Sequence, residues 1–103
     1  MSEPENQRAP LPCPEMADIR EAIDTLDRKL VAILAERQKL IAAAGSVKPS
    51  RDTVRDEARI EEVVALVKKE AAKAGLAEEI AEPVWRQLIE SSIAYEYSVF
   101  DKR

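Results

Sequence analysis

Two cations interrupt an apolar pattern in the first half of the chain. From Ile19 to Ile33, apolar residues recur at steps of three and four, and the same register then passes through Arg37 and Lys48. A register of this kind is the face that a helix turns towards a core. A buried cation is costly unless an anion meets it. The pattern therefore predicts either carboxylate partners elsewhere in the fold or a pocket for an anionic ligand.

In two later segments, polar side chains lie at one end of the apolar helix face. Asp56 and Arg59 lie one helical turn apart, and Ser92 and Glu96 continue an apolar line at a four-residue step. Each has a structural alternative: Asp56 and Arg59 could form a surface pair worth little, and Glu96 could neutralise a cation of the first segment. Cations nevertheless outnumber acids at the positions of the buried face, which favours an anion site.

A further arginine lies too far along the first segment to share that site. Arg20 precedes Arg37 by seventeen residues, which is about 25 Å along a helix. It could reach the pocket of a second chain in an antiparallel pair.

Composition argues against several other kinds of site. The 103 residues include no His and the single Cys13, which excludes Ser-His and Cys-His nucleophiles and most transition-metal sites. We therefore expect no metal and no cofactor. The net charge of -4 argues against general binding to nucleic acid or to an anionic membrane. No membrane-spanning run or signal peptide is visible, so the predicted location is cytoplasmic.

Three helices and no strand are predicted to hold these residues, since only 4% of the chain is aromatic and it has 2 Gly. Residues 1–16 contain four prolines and are predicted to be a disordered tail, followed by one helical domain at 17–103. Asp52 or Thr53 is predicted to cap the second helix, and Gly75 to end it. The predicted helices run from about Asp18 to Val47, from near Thr53 to Ala74, and from about Glu78 to Phe100.

The predicted first helix is too long for a compact monomer. Thirty residues make a rod of about 45 Å, whereas a domain of this size has a radius of gyration of about 13 Å. Because the apolar stripe runs the full length, we predict that a second copy covers it in a homodimer.

Several stretches of the chain together resemble the all-helical chorismate mutases. They are IREAIDTLD at 19–27 with LAER at 34–37, VRDEAR at 54–59, and GL at 75–76 with LIESS at 88–92. The resemblance covers residues 17–100. It implies an intertwined helical homodimer in which Arg20 completes the active site of the other subunit. The implied reaction is the Claisen rearrangement of chorismate to prephenate, a step in aromatic amino-acid biosynthesis.

The resemblance also implies a role for each polar residue. Arg20, Arg37 and Arg59 would hold the two substrate carboxylates. The implied substrate-binding set is Arg20, Arg37, Lys48, Asp56, Arg59, Ser92 and Glu96, of which Lys48, Glu96 and Arg37 are catalytic.

The chemistry of that reaction fits a chain without a nucleophile. A pericyclic step needs a dianion held in a reactive shape and positive charge beside the breaking ether bond. By similarity, Lys48 would donate to a carboxylate and to the ether oxygen, Asp56 would lie near the ring hydroxyl, and Ser92 beside a carboxylate. Glu96 stands where many relatives have Gln, and it must be protonated to donate to the ether oxygen.

Two departures leave alternatives open. The loop from Lys48 to Arg59 is about one residue shorter than is usual, and Ile60 replaces the Glu that helps mutases bind the ring hydroxyl. The related isochorismate pyruvate-lyases, which form salicylate, carry an apolar residue there. A third alternative is a non-catalytic helical dimerisation module whose cations are paired across an interface. The residues favour the mutase over the lyase.

Overall fold

The computed structural model describes residues 13–103 and confirms an all-α fold with a very long first helix. Helix α1 spans Cys13–Val47, α2 spans Glu57–Ala74 and α3 spans Glu78–Lys102, with a short 3-10 helix at Arg51–Thr53. The chain divides into two compact units, one ending at Glu36 and one starting at Arg37, and each is described by itself. No helix between residues 13 and 103 is long and apolar enough to cross a membrane.

Helix α1 begins earlier than the sequence predicted. Its first residue is Cys13, five residues before the predicted start at Asp18. Pro14 lies in the first turn, where a helix does not need the N–H that proline lacks. The remainder of the predicted tail, residues 1–12, lies outside the described residues.

In the unit that ends at Glu36, the predicted apolar stripe of α1 is exposed to solvent in the single chain. Its side chains are between 38% and 63% exposed, and they are Ile19, Ile23, Leu26, Leu30 and Ile33. A contiguous apolar face of this kind is typical of an interaction surface.

In the unit that starts at Arg37, α2 packs against α3 around a small core. Ile60, Val64 and Ile89 are buried together, as the predicted stripes require. Arg86 of α3 reinforces the contact by donating two hydrogen bonds of 3.1 Å to Glu61 of α2. These exposed pairs fix the register of the two helices more than they stabilise them.

The connection before α2 is capped differently from the prediction. Asp52 accepts a hydrogen bond from the Ser50 hydroxyl, and the Thr53 hydroxyl donates to the Ser50 carbonyl at 2.6 Å. Both predicted caps are therefore used inside the 3-10 turn. The N-cap of α2 is Asp56, whose carboxylate accepts from the Arg59 N–H at 3.1 Å.

The end of α2 is as predicted. Gly75 adopts φ 79°, the left-handed conformation that glycine reaches without strain. The Leu76 N–H then bonds to the Ala71 carbonyl at 2.9 Å, so the chain reverses within three residues before α3 starts at Glu78.

Two arginines attach the α1–α2 connection to α3. Arg51 donates to Asp101 at 2.9 Å and lies over the Tyr97 ring. Arg55 donates two hydrogen bonds, of 2.9 and 3.0 Å, to Glu90, and these bonds lower the pKa of that carboxyl. The connection that carries Lys48 and Asp56 is thus held at both of its ends.

Candidate active site

A cavity of about 680 Å³ lies in the unit that starts at Arg37. Its volume is in the range of small-molecule sites. Six of the seven predicted site residues line it, namely Arg37, Lys48, Asp56, Arg59, Ser92 and Glu96. The seventh, Arg20, is an exposed residue of α1 in the other unit.

Arg37 is a half-buried cation with a hydroxyl partner. Its guanidinium donates to Ser92 Oγ at 2.7 Å, and burial lowers its pKa. Within residues 13–103 no carboxylate lies within ion-pair distance of it. Since arginine remains protonated in proteins, the cavity wall keeps a positive charge whose remaining donors can serve a ligand.

Lys48 and Glu96 form the second charged group of the cavity. Lys48 Nζ lies 2.8 Å from Glu96 Oε2 and donates to the Val54 carbonyl at 3.3 Å. Glu96 is only 5% exposed, whereas the Lys48 side chain is 27% exposed. The predicted alternative that Glu96 neutralises a cation therefore describes the protein without ligand, and the cation is Lys48 rather than Arg37.

The Lys48–Glu96 contact is an ion pair without good hydrogen-bond geometry. Glu96 Oε2 is buried and has no hydrogen-bond partner within the described chain, although the ammonium nitrogen is close to it. The short distance between Lys48 Nζ and Glu96 Oε2 makes the two charges attract each other. The ammonium group is poorly aligned with Oε2, so this oxygen accepts no hydrogen bond within the described chain. A buried oxygen of this kind favours a better-aligned hydrogen-bond donor.

Asp56 and Arg59 do not form the side-chain pair that was one predicted alternative. The Asp56 carboxylate bonds to the backbone N–H of Arg59, while the Arg59 guanidinium donates to Glu62 at 3.2 Å. The side chains of Arg59 and Glu62 are 65% and 68% exposed. An exposed pair is weak, so Arg59 can turn towards a ligand at little cost.

Sequence reasoning missed one wall residue, Val54, and named Ile60 only as a departure from the family pattern. Val54 is 3% exposed and supplies the backbone carbonyl that receives the Lys48 ammonium; no sequence signal marks a carbonyl acceptor. Ile60 lines the cavity and packs with the core formed by Val64 and Ile89. The cavity wall is therefore apolar at the position where the resemblance leads one to expect Glu.

The set as a whole is suited to an anionic ligand. The six polar residues carry three cations against two carboxylates, and the Asp56 carboxylate is engaged in a helix cap. No group of three or more metal-ligating side chains occurs among the described residues. The chemistry that this arrangement offers is binding, orientation and electrostatic stabilisation of developing negative charge.

Comparison with known proteins gives two matches. Residues 19–97, which include all seven predicted site residues, match the family model described as chorismate mutase type II. The chain is also 32% identical over 90 residues to the T-protein of Haemophilus influenzae, an alignment that covers 79% of this chain and 22% of that protein. The chain therefore spans less than a quarter of the length of this curated relative.

Proposed function

This chain belongs to the chorismate mutase type II family, and we propose that its 680 Å³ cavity binds chorismate and rearranges it to prephenate. The observation that carries the proposal is the position of Arg37, a half-buried cation that bonds to Ser92 and has no carboxylate partner in the described chain. A structural cation at this depth would need an anion. A substrate carboxylate supplies one.

The proposed reaction needs orientation and charge, not a nucleophile. Within one substrate molecule the ether C–O bond breaks while a C–C bond forms, and no proton or electron is exchanged with the protein. Arg37 and Arg59 bind the substrate carboxylates and hold the side chain over the ring. Lys48 donates to the ether oxygen as negative charge develops there, which lowers the barrier.

Glu96 acts in the proposed mechanism as a neutral acid. In the protein without ligand its carboxylate pairs with Lys48 at 2.8 Å. Donation to the ether oxygen requires the neutral carboxyl group, because an ionised carboxylate can only accept hydrogen bonds. The protonated group then donates a second hydrogen bond to the ether oxygen.

Ile60 supports a second candidate, an isochorismate pyruvate-lyase. This buried apolar residue lines the cavity where ring-hydroxyl recognition would need a carboxylate. Asp56 is the remaining acid on that side, and its carboxylate already caps α2. An isomer with its hydroxyl elsewhere on the ring would avoid this wall.

Product identification tests these candidates directly. The purified protein is incubated with chorismate and with isochorismate in separate reactions. Prephenate from chorismate supports the mutase, and salicylate plus pyruvate from isochorismate supports the lyase. A folded protein that turns over neither compound would contradict both activities and favour the dimerisation module. Arg37→Ala is the control, because residual turnover by this variant at the wild-type rate would show that catalysis lies elsewhere.

We also propose that the active protein is a homodimer in which each site receives Arg20 from the other subunit. The exposed stripe of α1 offers an extended apolar surface to a partner. A second cavity of about 490 Å³, lined mainly by apolar side chains, shares Arg37 and Arg59 with the first. A helix of a second copy seated there would pass the edge of the substrate cavity.

Subunit mixing tests the shared site more sharply than mass alone. Sedimentation at low micromolar protein should show twice the chain mass. Arg20→Ala and Arg37→Ala should each be inactive, but refolding an equal mixture should restore about a quarter of wild-type activity, because half of the dimers are hybrids with one intact site of two. A folded monomer, or a mixture without recovered activity, would contradict the shared site.

A further inference from the structure

The geometry of helix α1 does not require glycine at position 45. It is a buried residue in the last turn of α1, and glycine inside a helix is less stable than alanine. Its backbone does not need the freedom of glycine, since Gly75 is the residue with positive φ in the described chain. The reason must lie in what faces Gly45.

Glu96 faces it. A Cβ atom added to Gly45 would lie 3.0 Å from the Glu96 carbonyl oxygen and 3.2 Å from Glu96 Cγ, and 3.3 Å from Val99 Cβ. These distances are shorter than ordinary van der Waals contact. Glycine therefore permits a close approach of α1 to α3 at the residue that carries the buried carboxyl group.

The residue that follows α3 also binds the last turn of α1, next to Gly45. Arg103 donates to the Gly45 carbonyl at 3.3 Å and to the Ser46 carbonyl at 3.0 Å. Lys48, whose Nζ lies 2.8 Å from Glu96 Oε2, follows Gly45 by three residues. Both members of the charged pair are thus placed by the approach of the two helices at Gly45.

We propose that Gly45 is a positioning residue: its missing side chain lets α1 hold Glu96 at the distance from Lys48 that the reaction needs. The inference rests on the proposed mutase activity. An alanine would push the Glu96 backbone and Cγ away by a few tenths of an ångström. Since a misplacement of about 1 Å costs on the order of a hundredfold in rate, a shift of this size should cost about tenfold or less.

The test is steady-state kinetics of Gly45→Ala with chorismate. We expect kcat to fall by about five- to tenfold, with KM within about twofold, because the cations that bind the carboxylates are untouched. Ala43→Ser, an exposed change in the same turn of α1, is the matched control and should behave as wild type. Wild-type kcat in Gly45→Ala would overturn the proposal.

A double-mutant comparison separates positioning from general destabilisation. In a Glu96→Ala background there is no carboxyl group to misplace, so Gly45→Ala should change kcat by less than about twofold. In a Glu96→Gln background the fall should return, because a side-chain donor is again present. Equal falls in both backgrounds would overturn the proposal. A wild-type protein that does not turn over chorismate would refute the mutase instead, so the two failures are distinguishable.

Arg103→Ala keeps the proposal testable if Gly45→Ala does not fold, as judged by circular dichroism. It removes the donor to the Gly45 carbonyl without adding a clash. A fall in kcat of about two- to fivefold that disappears in the Glu96→Ala background supports the proposal. An unchanged kcat in this variant would overturn it.

Discussion

Replacing Lys48 with alanine should reveal how much the Lys48–Glu96 pair contributes to folding as distinct from catalysis. The change leaves Glu96, whose side chain is 6% exposed, without its cation at 2.8 Å. The Val54 carbonyl loses its donor as well. The free-energy cost of burying the Glu96 charge is then no longer offset by an opposite charge.

The distance and exposure set the magnitude. Two unit charges 2.8 Å apart attract by about 1.5 kcal/mol at the dielectric constant of water and by about 6 kcal/mol at an effective value of 20. Exposed pairs contribute a net stabilisation of about 0–1 kcal/mol, whereas removing one partner of a buried pair costs about 3–5 kcal/mol. Because the Lys48 side chain is 27% exposed, we expect Lys48→Ala to lower the free energy of unfolding by about 1–3 kcal/mol.

The assay is urea unfolding, followed by circular dichroism at one fixed protein concentration, of wild type, Lys48→Ala, Glu96→Gln and the double variant. Glu96→Gln should recover most of the stability that Lys48→Ala loses, since a neutral amide needs no cation. A coupling energy near zero would refute the argument that Lys48 compensates the buried carboxylate.

The catalytic part of the prediction is measured on the same four proteins. Loss of a donor at a developing oxyanion typically costs about 2.7–4 kcal/mol, or a hundred- to a thousandfold in kcat. Lys48→Ala should show this loss even in the Glu96→Gln background, where stability is restored. Retention of more than about a tenth of the wild-type rate would mean that Lys48 does not act at the ether oxygen.

Three further predictions concern the remaining cavity residues. Arg37→Ala should lose at least about a hundredfold in kcat/KM while keeping near-normal helicity, because the guanidinium bonds only to Ser92 in the described chain; loss of folding would favour a structural role. Glu96→Gln should keep substantial turnover, since its amide can donate to the ether oxygen, whereas Glu96→Ala should lose most of it; equal turnover by the two variants would contradict the assignment of Glu96. Asp56→Ala should lower the free energy of unfolding by about 1 kcal/mol through loss of the α2 cap, whereas Asp56→Asn should retain the cap; any loss of chorismate turnover by Asp56→Asn then reports on the ligand.

Local patterns allowed much of the fold to be predicted from the sequence. The three-helix order follows from the 3.6-residue spacing of apolar residues, and the end of α2 follows from Gly75 because glycine adopts φ 79° without strain. The family follows from short motifs that the match over residues 19–97 bears out. All these signals are local in sequence, because each lies within a few helical turns or in a single loop.

Element starts were predicted less well because competing local interactions decide them. Asp52, Thr53 and Asp56 are all good cap residues, and the choice of Asp56 depends on the hydrogen bonds that Ser50 forms within the 3-10 turn. Pro14 discourages a helix at most positions but is accepted in a first turn.

Only the tertiary structure decided which charges are compensated. The sequence placed Arg37 and Lys48 on one apolar register and left open which of them Glu96 would meet. Arg37 bonds instead to Ser92, 55 residues away, and Glu96 lies beside Lys48 because Gly45 lets α3 approach the last turns of α1. Such pairings depend on distances of a few tenths of an ångström between helices far apart in sequence, and residue spacing along one helix carries no information about them.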